Sequence, residues 1–200
     1  MATAMPVEIG EEVEEETSPL VPALPEKHYE VIDGLIVEEP PLGAHEGWIA
    51  STLDQMMGYH ARTQSQGRVI TETLFVIDSA QKLRRRPDVA FVSRERWPFN
   101  RPVPREAAWD VIPDLAVEIT SPTDPIDDLM DQIEEYFRAG VRAVWVVYPK
   151  HRKVYAYDSP ATVRILQVGD ELDGGAILAG FRFPLVGLFE PEQDGPAATA

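Results

Sequence analysis

The chain has 200 residues, enough for one ordinary domain with a sizeable core and short tails, and too few for two full domains. Its net charge is −16, from 18 basic and 34 acidic residues, and it has no cysteine, which excludes disulfides, thiolate nucleophiles and cysteine-based zinc sites. No apolar run approaches the roughly 18 residues of a membrane span, and Glu11, Glu12, Glu14, Glu15 and Glu16 stand where a secretory leader would be basic and then apolar. A soluble, cytoplasmic protein without a membrane partner is therefore expected.

The charge is unevenly spread. Residues 1–26 hold seven Glu and no Lys or Arg, together with Pro19, Pro22 and Pro25, and 190–200 hold Glu190, Glu192 and Asp194. Such composition cannot bury enough apolar surface to offset its ordering entropy, so both ends are predicted to be disordered tails. The predicted domain is 27–189, where 24 acidic residues face 18 basic ones. That balance weighs against tight nonspecific binding of nucleic acid but allows a local basic groove.

Along the domain, Tyr29–Glu38 predicts a β-hairpin, because Asp33-Gly34 supplies the positive φ angles of a tight turn. Trp48, Ile49, Leu53, Met56, Met57 and Tyr59 recur at near-helical spacing and predict a helix ending near residue 64, before Gly67. Val69–Ile77, Val89–Val92 and Leu115–Thr120 have strand composition. Pro98, Pro102 and Pro104 make 93–113 a long irregular connection, and loops of that length are often functional. After the Ser121–Pro125 capping region, Ile126, Leu129, Met130, Ile133, Tyr136 and Phe137 predict a second helix stopped by Gly140. Val141–Tyr148 then forms an apolar strand, so that Leu115–Tyr148 should be a right-handed parallel crossover. A hairpin, Val154–Tyr157 with Val163–Val168, and an apolar segment, Ile177–Phe189, complete the domain.

Two acids interrupt apolar strands. Period-two alternation puts Leu115, Val117 and Ile119 on one face and Ala116 and Glu118 on the other. In Arg86-Pro87-Asp88-Val89-Ala90-Phe91-Val92, Asp88 and Ala90 likewise share the face opposite Val89 and Phe91. The alanines leave room beside each carboxylate, and two carboxylates converging at adjacent strand ends suit Mg²⁺ or Mn²⁺. The simpler readings are turn chemistry after Pro87 for Asp88, and a solvated or arginine-paired side chain for Glu118. Glu72, placed on the same strand face as Ile70 and Leu74, repeats the pattern, with a paired surface Glu as its alternative. Glu46 at the first helix start favours the helix dipole. Arg84-Arg85-Arg86 is either a solvated run or a set of phosphate contacts beside Asp88. His28, His45, His60 and His151 show no metal-ligand spacing.

Taken in order, Asp33-Gly34, Arg-Pro-Asp-Val at 86–89, Pro-Asp-Leu-Ala-Val-Glu-Ile-Thr-Ser-Pro at 113–122 and Glu-Tyr-Phe-Arg-Ala-Gly-Val at 135–141 resemble the Uma-type restriction endonuclease family of the PD-(D/E)XK nuclease superfamily. The resemblance runs from about Tyr29 to Phe189. It implies an α/β fold, restriction-endonuclease-like, with a mixed central β-sheet flanked by helices. It also implies phosphodiester hydrolysis, with DNA as the expected substrate, Asp88 and Glu118 as ligands of Mg²⁺ or Mn²⁺ and Glu72 as an auxiliary acid. The superfamily's lysine would stand at Thr120, and the family's own lysine one turn before Tyr136, at Gln132. No lysine lies between Glu118 and Tyr148, so Arg84, Arg85, Arg86 or Arg138 would have to supply a cation. The competing expectation is an inactive nuclease-fold module that binds nucleic acid or a protein partner; a homodimer is compatible with either.

Overall fold

Asp33 and Gly34 take left-handed conformations, φ 52° and 79°, and fold β1 (Tyr29–Ile32) back onto β2 (Leu35–Glu38) as an antiparallel hairpin. The Asp-Gly pair predicts this turn. The structure is a computed structural model describing residues 28–121 and 125–189; the predicted tails 1–26 and 190–200 lie outside them. Helix α1 (Ala44–Thr63) begins four residues before the first apolar residue of its periodic pattern, with Glu46 in its first turn. Helix α2 (Ile126–Ala139) begins after Pro125 without a side-chain cap and stops at Gly140, φ 101°.

Strands β3 (Gly67–Thr71), β6 (Val89–Ser93), β7 (Leu115–Ile119), β8 (Ala143–Tyr148), β9 (Lys153–Ser159) and β10 (Thr162–Gln167) form a six-stranded sheet in the order β10-β9-β8-β7-β6-β3. Only β7 and β8 run parallel, joined through α2 as the crossover pattern predicts. The central strands alternate between two cores. Val89, Phe91, Leu115 and Val117 pack with Ile49, Leu53 and Met57 of α1, whereas Ala90, Ala116, Val144 and Val146 pack with Ile133 and Tyr136 of α2. Fully burying a side chain such as Ile49 or Leu53 contributes about 1.5–3 kcal/mol, which fixes α1 on its face of the sheet. The closing segment is apolar because it finishes that core: Leu178, Phe181, Phe183, Leu185, Leu188 and Phe189 are buried there. It also pairs β11 (Glu171–Asp173) with β12 (Arg182–Pro184), a short hairpin the sequence pattern does not predict.

The segment Val69–Ile77 is not one strand. It breaks at Glu72, which adopts a left-handed φ of 50°, and passes from β3 in the large sheet to β4 (Phe75–Asp78) in a second sheet ordered β2-β1-β5-β4. The missing member, β5 (Leu83–Arg85), lies within the basic run. This small sheet lies on the α2 side, where Phe75, Ile77 and Leu83 join the core around Tyr136. The long connection 93–113 is anchored there too. Trp97 and Trp109 are buried, Trp109 stacks on Phe75 with ring centroids 5.8 Å apart, and its backbone exchanges hydrogen bonds with Leu74 and Val76. No helix among the described residues is long and apolar enough to cross a membrane.

Candidate active site

The register of the central sheet brings the two predicted acids together. Val89 pairs with Val117 across antiparallel β6 and β7, so the next positions, Asp88 and Glu118, face each other on the α2 side. Asp88 precedes the last ladder pair, and its Oδ2 accepts a hydrogen bond from the Ile119 N–H at 2.6 Å. That contact fixes the carboxylate against β7, so its role is more than a turn after Pro87.

Glu118 is 9% exposed and its Oε1 accepts from two side chains of α2. The Tyr136 hydroxyl donates at 2.7 Å and the Gln132 amide at 3.0 Å. Gln132 and Tyr136 are one helical turn apart, and their side chains meet at 3.3 Å. Gln132 thus faces the acids and not the solvent. Tyr136 is identifiable from periodicity only as a core residue; a buried tyrosine needs a partner for its hydroxyl, and here the partner is Glu118.

Glu72 reaches the same region by another geometry than a shared strand face. Thr71 pairs with Val89, and the Glu72 N–H donates to the Asp88 carbonyl at 3.3 Å, which places residue 72 beside 88. The left-handed bend turns its carboxylate to His28, whose Nδ1 lies 2.7 Å from Oε2. The histidine spacing in sequence gives no hint of this pair, since the two residues meet only through folding.

The basic run is neither solvated nor a row of free cations. Arg85 is buried and held by Glu30 of β1, its closest partner, and by Glu135 of α2 at 2.6 Å. Burial alone would lower the Arg85 pKa, but the two carboxylates raise it above its ordinary value. Removing one partner of such a buried pair typically destabilises by about 3–5 kcal/mol, so this contact holds the small sheet to α2. Arg86 lies over the Tyr29 ring and donates to the carbonyls of Tyr29 and Glu72. Arg84 lies in β5 and Arg138 is exposed in the last turn of α2.

The electrostatics are those of acids crowded in low dielectric. Burial first, then Asp88, holds the Glu118 carboxyl well above the ordinary range, against the opposing hydrogen bond from Tyr136. Burial, Glu30 and Asp88 push Glu39, which follows β2, up to about 8, with Arg85 and Arg86 opposing. An acid raised in the folded state stabilises the fold fully below its unfolded pKa and loses that contribution as pH rises through the folded value. The metal-free protein is therefore expected to lose stability from about pH 4.5 to about 8 on account of Glu39. Calorimetric melting at constant ionic strength should show a shallower decline for Glu39→Gln. An unchanged slope in that variant would contradict the assignment.

Among the described residues, no three Asp, Glu or His side chains are grouped as ligands of one ion. What the site offers is a pair of hard oxygen donors at facing positions, one of them buried and destabilised by the other's charge. Mg²⁺ typically uses one or two carboxylates and keeps several waters, so the donor chemistry fits. Glu46 and His45, at the α1 start, line a cavity beyond the end of β7.

Residues 15–186 match the Uma2 family, described as "Putative restriction endonuclease"; the chain belongs to this family. Its fold is similar to the crystal structure of a putative nuclease belonging to DUF820 from Anabaena variabilis ATCC 29413. The TM-score is 0.72 at 19% identity, over 83% of this chain and 93% of that one. A cryo-EM structure of a DrdV–DNA complex shares 19% identity over 71% of this chain and 12% of that one, with a TM-score of 0.39, a partial likeness from which nothing further follows. No curated protein matches the sequence.

Proposed function

We propose that this protein is a divalent-metal-dependent endonuclease that hydrolyses phosphodiester bonds in DNA, with Asp88 and Glu118 holding Mg²⁺ or Mn²⁺. The observation that carries the reading is the facing pair Asp88 and Glu118, with the Gln132 amide bonded to Glu118. Membership of the restriction endonuclease family supports the substrate class. The bound cation would polarise a phosphate oxygen and lower the pKa of an attacking water. Asp88 is positioned for this by the Ile119 N–H and Glu118 by Tyr136. Gln132 can orient a water but supplies no positive charge to the developing transition state. Glu72 is the auxiliary acid of this reading, its backbone beside Asp88 and its carboxylate held by His28.

That same glutamine favours a second reading, an inactive module that binds nucleic acid or a protein partner. Nicking of supercoiled plasmid in Mn²⁺ separates the two. Slow, metal-dependent nicking by the wild type, lost in Glu118→Gln, is the expected result. No nicking by the wild type at any protein concentration would favour the binding module.

A further inference from the structure

A cavity of about 420 Å³ opens beyond the C-terminal ends of β7 and β8. Its wall is continuous with the acidic pair in two ways. Thr120, which lines it, is two residues after Glu118, roughly 6.6 Å along a strand. Leu129, also in the lining, stands one helical turn before Gln132. Opposite these lie Tyr148 at the end of β8 and, in the following 3₁₀ turn Pro149–His151, the exposed side chains of Lys150 and His151.

The chemistry of this lining differs from that of the acid pair. Lys150 and His151 are in no ion pair among the described residues, in a chain of net charge −16 whose buried arginine is already neutralised. Left-handed Arg152, φ 53°, ends the turn and fixes where the two residues project. Tyr148 is half-buried and packs against Tyr155 at 4.8 Å between centroids, so its ring is held in a defined position at the cavity. Thr120 lines the wall with its hydroxyl donating to the Val147 carbonyl. Among the described residues of the lining Glu46 is the one acid, and it would oppose an anion. A lysine ammonium beside an imidazole, an aromatic ring and a concave volume are the elements of a nucleotide site.

We infer that this cavity is a subsite for the nucleotide next to the scissile phosphate, with the phosphate on Lys150 and His151 and the base against Tyr148. The inference deepens the nuclease reading, because it takes the position of the cut from Asp88 and Glu118, but binding at the subsite does not require cleavage.

The test is the anisotropy of a labelled single-stranded deoxyoligonucleotide titrated with the protein in Ca²⁺ buffer, across a salt series. Lys150→Glu should weaken binding by roughly tenfold and reduce the log–log salt slope by about 1, while Lys150→Arg retains both. Tyr148→Leu should weaken binding by roughly tenfold with an unchanged salt slope, since stacking and not charge is lost. Lys82→Glu makes the same charge change on the small sheet and should bind as the wild type does. Wild-type-like binding by Lys150→Glu, equal weakening by Lys82→Glu, or no binding by the wild type would each overturn the subsite. Mn²⁺-dependent nicking, measured separately, distinguishes the two proposals. Lys150-dependent binding without nicking retires the nuclease and keeps the subsite, and nicking with Lys150-independent binding does the reverse.

Discussion

Titrating Mn²⁺ into the metal-free protein is expected to raise its melting temperature by about 5–10 °C when the ion reaches 100 times its dissociation constant. A ligand at that concentration stabilises by about 2.7 kcal/mol, and 1 kcal/mol moves the midpoint of a chain this size by roughly 2–4 °C. The effect should be concentrated in two side chains. Glu118 is buried and faces Asp88, so the empty pair carries a repulsion that a divalent cation removes. Asp88→Asn and Glu118→Gln are each expected to remove most of the shift. Neither result can be confused with misfolding. Asn keeps an oxygen for the Ile119 N–H, and Gln at 118 keeps an acceptor for the Tyr136 hydroxyl, so each metal-free midpoint should stay close to that of the wild type. A full Mn²⁺ shift in both variants would place the ion elsewhere.

Gln132→Lys should raise the Mn²⁺-dependent nicking rate by roughly 10²–10³, the usual effect of one preorganised donor at a developing charge. The position is suitable because the present amide already lies 3.0 Å from Glu118, and an ammonium there would gain a carboxylate partner as well as face the reacting phosphate. Gln132→Ala is the control and should show no gain, since it opens space without adding charge. Initial rates on supercoiled plasmid, at equal protein and saturating metal, provide the measurement. An unchanged rate in Gln132→Lys would mean that a guanidinium already fills the role. Arg86, which reaches across to the Glu72 carbonyl, would then be the first residue to replace.

The parts of the fold that local chemistry controls were legible in the sequence. Asp33-Gly34 signalled a tight turn, and alternation in 88–92 and 115–119 put Asp88 with Ala90 and Glu118 with Ala116, while their meeting on one sheet face depends on the β6–β7 register. The helical period around Ile133 and Tyr136 indicated which side of α2 turns inward, whereas Gln132 was singled out only by the family resemblance, as the position of the family's lysine. What escaped depends on partners distant in sequence. The apolar pattern of 69–77 continues through Glu72 although the chain changes sheets there, because both sheets need apolar residues. Arg85 looks like part of a solvated run until Glu30 and Glu135, 55 and 50 residues away, are brought to it. Tyr136 is indistinguishable from an ordinary core aromatic until its hydroxyl meets Glu118.

The attachments of α2 are distributed unequally along its length. Glu135 is clamped to Arg85, Tyr136 to Glu118, and the backbone closes beyond Gly140 through the Val141 N–H to the Tyr136 carbonyl. At the other end Pro125 offers no side-chain cap, and Ile126 and Met130 are exposed. The side-chain anchors of α2 among the described residues thus lie at Glu135 and Tyr136, with Gln132 one turn before Tyr136, so the reach of its amide to Glu118 is set by the anchored half of the helix.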